Sequence, residues 1–181
     1  IEMRDRGELE PGQRVVEASS GNMAGGVALA ANRLGHPCTI ISPKTASPIK
    51  MGFVKALGAE LIQTPDVSHE SDEYYQNKAR QYAAENGGVY VNQYERELNR
   101  KVHEKWTGPE LWDQIQNRGI THIVAATGSG GTLSGIGNYI KRQDESITTV
   151  GVDAEYSNIS RDFNNEDHIE YNTEIEGLGQ Y

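Results

Sequence analysis

Residues 123–135, IVAATGSGGTLSG, begin as an apolar run, empty into glycines and resume at helical spacing. This is the pattern of a buried strand that feeds a helix through a loop too bare to carry side chains. Gly128, Gly130 and Gly131 fill three of four consecutive positions, so backbone N–H groups can converge on one point, and Ser129 and Thr132 add hydroxyls at the mouth of the helix. Such a loop can cradle a phosphate, or it can be an ordinary tight turn between strand and helix. Two sharper templates fail. A Walker loop requires Gly-Lys-Ser/Thr, which is absent, and a dinucleotide fingerprint requires Gly at the sixth place from Gly128, where Leu133 stands. The phosphate reading is therefore for something other than a nucleoside triphosphate or a typical NAD.

The rest of the chain repeats the same alternation. Strands are expected at 15–18, 38–41, 60–63, 89–91, 122–126 and 148–153, and helices at 24–34, 70–85 and 132–141. Ser47 and Pro48 open a further helix with Ile49, Phe53, Val54 and Leu57 on its apolar side, and residues 107–110 read as a capping box. Strands separated by helices of this length imply an α/β fold of parallel sheets with helices on both faces. Apolar periodicity lapses over the charged residues 95–105, the one cue for a linker, which places two lobes at 1–96 and 97–181.

A second polar turn follows the strand at 15–18. Ser19, Ser20 and Asn22 can cap the next helix, or hydroxyls plus free N–H groups at its N-terminus can seat a carboxylate. Two anion seats at the C-terminal ends of parallel strands, where open α/β sheets place their sites, suit a small ligand with a phosphate at one end and a carboxylate at the other.

Charge and composition exclude other classes. A net charge of -9 argues against a nucleic-acid or anionic-membrane surface, since neutralising phosphates needs clustered Lys and Arg. No apolar run reaches transmembrane length. The five histidines show no i, i+4 pairing and no cysteine partner, so no metal site is expected. The single cysteine, Cys38, lies in an apolar strand, reads as inert core and suits a reducing, cytoplasmic compartment. The acidic residues beyond Asp153 read as a solvated face.

Five motifs, SSGNM at 19–23, KALGA at 55–59, VNQY at 91–94, TGPE at 107–110 and TGSGGT at 127–132, occur in the order seen in pyridoxal-phosphate enzymes of the tryptophan-synthase β superfamily, fold type II. The chain resembles that superfamily nearly end to end, and within it cysteine synthase and cystathionine β-synthase. NQY with ELN at 97–99 is also similar to the siderophore-pathway synthase that joins O-phosphoserine to glutamate, and the SSGN pattern with GVALA to serine and threonine dehydratases. The resemblance implies pyridoxal 5'-phosphate as cofactor, its phosphate held by Gly128, Ser129, Gly130, Gly131 and Thr132 and its ring hydroxyl by Asn22. It implies that Ser19, Ser20, Gly21, Met23 and Gln93 hold the carboxylate of a small amino-acid substrate, with Met23 standing where the synthases usually have Thr. Gly177 matches a glycine turn beside the cofactor.

The resemblance also implies a homodimer and β-replacement, in which a nucleophile such as sulfide displaces the leaving group of an O-activated serine. The family's Schiff-base lysine lies ahead of the Asn22 loop, and this chain has no lysine before Lys44. No catalytic residue is therefore assigned. The chain is expected to be a fragment incomplete at both ends and inactive alone, its parent a synthase or, alternatively, a dehydratase-like lyase or a non-catalytic regulatory subunit.

Overall fold

β-Branched and apolar runs become parallel strands in the computed structural model, which describes residues 1–169 and 178–179. Two compact units form, Ile1–Asn92 and Gln93–Tyr181. The first contains a helical turn α1 (Glu2–Asp5), then β1 (Val15–Ala18), α2 (Asn22–Arg33), β2 (Cys38–Pro43), α3 (Pro48–Ala56), β3 (Glu60–Thr64), α4 (Tyr75–Glu85) and β4 (Val89–Tyr90). Its four strands are parallel in the order β3-β2-β1-β4, with Val15 opposite both Cys38 and Val89.

Alternating side chains of the central strands feed two cores, which is why every residue of β1 is buried, Glu17 among them. Val15, Cys38 and Ile40 pack with Ala24, Val27, Ala28, Met51 and Val54 of α2 and α3 on one face. Val16, Ala18 and Ile41 pack with Ala79 and Ala83 of α4 on the other. Ile40 and Ile41 are fully buried, each contributing about 1.5–3 kcal/mol. The helix α3 turns Val54 and Leu57 to the core as expected, with Met51 beside them, whereas Ile49 and Phe53, expected on the same side, turn outward and are 86% and 58% exposed. Residues 70–74 are turns ahead of α4 instead of its first turn.

Cys38 is 6% exposed, and its thiol is pushed up to about 11 by burial, with Arg14 opposing and Glu17 adding to the rise. The folded chain is expected to resist a thiol reagent such as Ellman's at pH 8 and to react with one equivalent in denaturant, since the thiolate is the nucleophile. Rapid labelling of the native protein would show that the strand opens.

The second unit holds α5 (Glu97–Val102), a π-helical turn (His103–Thr107), α6 (Gly108–Ile115), β5 (His122–Ala126), α7 (Gly131–Gln143), β6 (Thr148–Val152) and α8 (Ile159–Asn164). The strands β5 and β6 are parallel, Val124 opposite Val150. Ile136, Ile140 and Ile147 form the core with Leu111, Trp112, Ile115, Ile123 and Tyr139. Val124, Val150 and Val152 point away from it and are 61%, 36% and 45% exposed.

Two expectations fail here. Residues 95–105 are not a linker: Glu97 to Ile115 is helical throughout, passing from α5 through the π turn into α6. Ion pairs the hydropathy pattern does not register support it, Arg100 to Glu104 at 3.0 Å and Arg142 to Glu104 at 2.6 Å. The Arg142 hydrogen bond is the main reason the Glu104 carboxyl is held below its ordinary value. Nor is 107–110 a capping box, because Thr107 lies inside the helical run with φ -67 and ψ -39 and makes no capping bond. Glycines let α7 approach this run closely. A Cβ on Gly135 would collide with the Arg100 carbonyl oxygen and lie 2.6 Å from the His103 Cβ, and one on Gly108 would lie 2.6 Å from the Tyr139 Cβ. Asn158, of an Asn-Ile-Ser sequon, is 2% exposed and exchanges two 3.0 Å hydrogen bonds with the Ile169 main chain.

Candidate functional site

In the second unit the sheet edge delivers the glycine loop. Thr127 extends β5 by donating from both its N–H (2.9 Å) and its hydroxyl (3.0 Å) to the Val152 carbonyl, and its own carbonyl accepts from the Gly179 N–H at 2.7 Å. The chain then turns through Gly130, whose φ of 74 is the left-handed region that glycine enters without strain. Ser134 reaches back with its hydroxyl to the Gly130 carbonyl at 2.7 Å, closing the first turn of α7. Among the described residues the N–H groups of Gly128, Ser129, Gly130, Gly131 and Thr132 meet no acceptor. A run of unengaged donors at the N-terminus of a 13-residue helix suits an anion.

Two residues fix the hydroxyls of that loop. Asn99 Nδ2 donates to Ser129 Oγ at 2.8 Å and to the Gln93 carbonyl at 3.0 Å. Thr132 Oγ1 lies 3.2 Å from His103 Nε2, and the other ring nitrogen is 3.0 Å from Thr107 Oγ1. Burial holds the His103 pKa below its ordinary value, so the ring is neutral at pH 7 and carries one hydrogen for its two contacts. Gln93, Asn99, Ser129, Gly131 and Ser134 line an open pocket of about 160 Å³ together with Arg96. Gln93 and the glycine loop are thus held by one side chain.

The second polar turn belongs to the first unit. Ser19 continues β1 by donating its N–H to the Ile41 carbonyl at 3.0 Å, and its hydroxyl accepts from the Gly21 N–H at 3.2 Å. Asn22 starts α2 and is exposed, Met23 packs half-buried on the core, and no side chain caps this helix. Ser20 and Asn22 are therefore not consumed in capping, and among the described residues the N–H groups of Ser20, Asn22 and Met23 meet no acceptor. Gly177 lies outside the described residues. Behind the turn stands a residue that sequence reasoning passed over: Glu17, fully buried in β1, accepts from the Asn92 N–H at 2.8 Å. Asn99 and His103 were missed for the same reason, since each acts across a fold that no local spacing encodes.

The model of the family described as "Pyridoxal-phosphate dependent enzyme" matches residues 2–181. The chain belongs to that family. It is 36% identical over 158 residues to a cysteine synthase of Staphylococcus aureus, covering 87% of this chain and 50% of that one. It is 33% identical over 177 residues to cystathionine beta-synthase of Apis mellifera, covering 97% of this chain and 35% of that one. The chain thus spans half or less of the length of these curated relatives. Among solved structures the fold matches a hydrogen sulfide-producing enzyme with a TM-score of 0.86 at 24% identity, covering 99% of this chain and 53% of that one. It matches O-ureido-L-serine synthase with a TM-score of 0.87 at 22% identity, covering 98% and 54%. These likenesses show the parallel α/β fold. Pyridoxal phosphate is the cofactor of the family, whose members are enzymes. The donors of the glycine loop, main-chain N–H groups and hydroxyls, fit the phosphate of that cofactor, with Arg96 and Arg100 as well as Glu95 and Glu97 in the pocket lining.

Proposed function

We propose that this chain carries the phosphate and carboxylate seats of a pyridoxal-phosphate-dependent β-replacement synthase of the cysteine synthase kind, acting on an O-activated serine. The observation that carries the reading is the row of unengaged N–H groups from Gly128 to Thr132, which turns into α7 through the left-handed Gly130. Gly128, Ser129, Gly130, Gly131 and Thr132 would hold the phosphate, and Asn22 and Gly177 the rest of the cofactor. Ser19, Ser20, Gly21, Met23 and Gln93 would receive the substrate carboxylate, with the free N–H groups at the start of α2 as donors. Pyridoxal phosphate, when bound, supplies an electron sink that lets the α-proton of an amino acid be removed and its β-substituent depart.

The residues of this chain bind and orient. The lysine that would hold the cofactor and move the α-proton is not among them, because Lys44, Lys50 and Lys55 all follow α2 and its preceding turn. Base placement contributes many kcal/mol to such a step, on the order of 7–11 when geometry is right, so a lysine on another βα unit does not substitute. The whole enzyme on this reading is a cytoplasmic homodimer that binds no nucleic acid, in keeping with the net charge of -9. Among the described residues no helix is long and apolar enough to cross a membrane.

Borohydride reduction of the chain mixed with pyridoxal phosphate, followed by peptide mass spectrometry, tests the reading. The expected result is reversible binding with no lysine labelled stoichiometrically and no turnover of O-acetylserine with sulfide. Stoichiometric labelling of one lysine together with turnover would place the chemistry within these residues and overturn that part of the proposal.

A further inference from the structure

We infer that Asn99 is a positioning residue that sets the hydrogen-bond polarity of Ser129, so that this hydroxyl donates to the phosphate. The inference rests on the phosphate reading of the glycine loop proposed above and extends it to a residue outside that loop.

The orientation of the Asn99 amide is fixed by its neighbours. The Gln93 carbonyl oxygen, 3.0 Å away, can only accept, so the atom facing it is the NH2 nitrogen. That same nitrogen lies 2.8 Å from Ser129 Oγ, so its two hydrogens meet two acceptors. Ser129 Oγ consequently receives a hydrogen from Asn99, and its own hydrogen is left to donate outward. A phosphate dianion only accepts, and a hydroxyl that is already an acceptor on its protein side presents it with the matching group. An oppositely polarised partner, such as a carboxylate, would draw the Ser129 hydrogen inward and turn the oxygen lone pairs toward the anion.

The third glycine of the loop gains a reason independent of the ligand. A Cβ on Gly131 would fall on the Asn99 amide, touching its carbon, nitrogen and oxygen alike. Only glycine lets that amide lie flat against the first residue of α7 while reaching Ser129 and Gln93 together. The glycine spacing that reads as room for a phosphate is therefore, at Gly131, room for Asn99.

The test measures binding of pyridoxal 5'-phosphate and of pyridoxal to the 181-residue chain by isothermal titration calorimetry. The wild-type chain is expected to bind the phosphorylated compound more tightly. The isosteric Asn99→Asp is expected to lower its affinity about tenfold or more while leaving pyridoxal unaffected, a selectivity that general loosening of the fold would not produce. Asn99→Ala and Ser129→Ala are each expected to lower affinity about fivefold, and the double variant by little more than either single one. Equal binding by Asn99→Asp and wild type overturns the inference, as do losses that multiply in the double variant. Should Asn99→Asp melt early, the alanine cycle decides alone. Wild-type binding that does not distinguish the two compounds removes the phosphate seat itself, and this inference with it.

Discussion

Gly135→Ala is expected to destabilise the second unit by about 2 kcal/mol or more, against the direction that helix propensity alone dictates. In an open helix, Gly to Ala stabilises by about 1 kcal/mol. At Gly135 the added methyl would meet the Arg100 carbonyl oxygen, the His103 Cβ and the Glu104 nitrogen at 2.9 Å. Two of those three atoms are backbone and cannot swing aside, so α7 must move off the α5 run, an overpacking cost at or above the upper end of the usual about 1–3 kcal/mol, which exceeds the propensity gain that partly offsets it. Both tryptophans, Trp106 and Trp112, lie in this unit, so their fluorescence in a urea titration reports it directly. Gly26→Ala on α2 is the control, since nothing lies within 4 Å of its Cβ, and it is expected to stabilise by about 0.5–1 kcal/mol. A Gly135→Ala midpoint equal to wild type would mean the helices are not in contact as described.

In the first unit Glu17→Ala is expected to cost about 3–4 kcal/mol, with Glu17→Gln much milder. Glu17 has no exposed surface, and its Oε2 accepts from the Asn92 N–H at 2.8 Å. Asn92 has φ 53, a left-handed conformation that a non-glycine residue holds only when its surroundings fix it. Truncation removes the acceptor from a buried donor, worth about 1–3 kcal/mol, and leaves a cavity between the strands that adds further. Glutamine keeps a carbonyl acceptor in the same place. Circular dichroism of urea titrations checks the order Glu17, Gln, Ala. A Glu17→Ala chain within about 0.5 kcal/mol of wild type would refute a structural role for this carboxylate.

The fold was legible where local chemistry and tertiary environment agree. The run 38–41 reads as a strand because β2 is covered on both faces, 123–126 reads as one although β5 leaves Val124 exposed, and the helices between strands follow from periodicity. The boundaries of β1 and β5 come out as expected, Val15–Ala18 and His122–Ala126. The helical run from Glu97 to Ile115 was not legible, because its support is the close approach of α7 at Gly135 and Gly108 and the two arginines on Glu104. The loop donors from Gly128 to Thr132 could be read from glycine spacing. The partners that orient its hydroxyls, Asn99 and His103, lie 30 and 29 residues away from Ser129 and Thr132 and have no spacing rule to announce them.

The π turn at His103–Thr107 also constrains how chain length can vary in evolution. Its closing bond, from the Gly108 N–H to the His103 carbonyl, spans one residue more than an α-helical turn. Ahead of it Asn99, and at its first residue His103, address the glycine loop; behind it, Gly108 admits Tyr139. Deleting a residue between 103 and 107 would convert the turn to α-helix and swing everything after it by about 100° relative to Asn99. Gly108 would then leave Tyr139 while Asn99 stayed on Ser129. Insertions and deletions should therefore be scarce in this stretch and frequent in turns such as 65–74, which bear on neither contact.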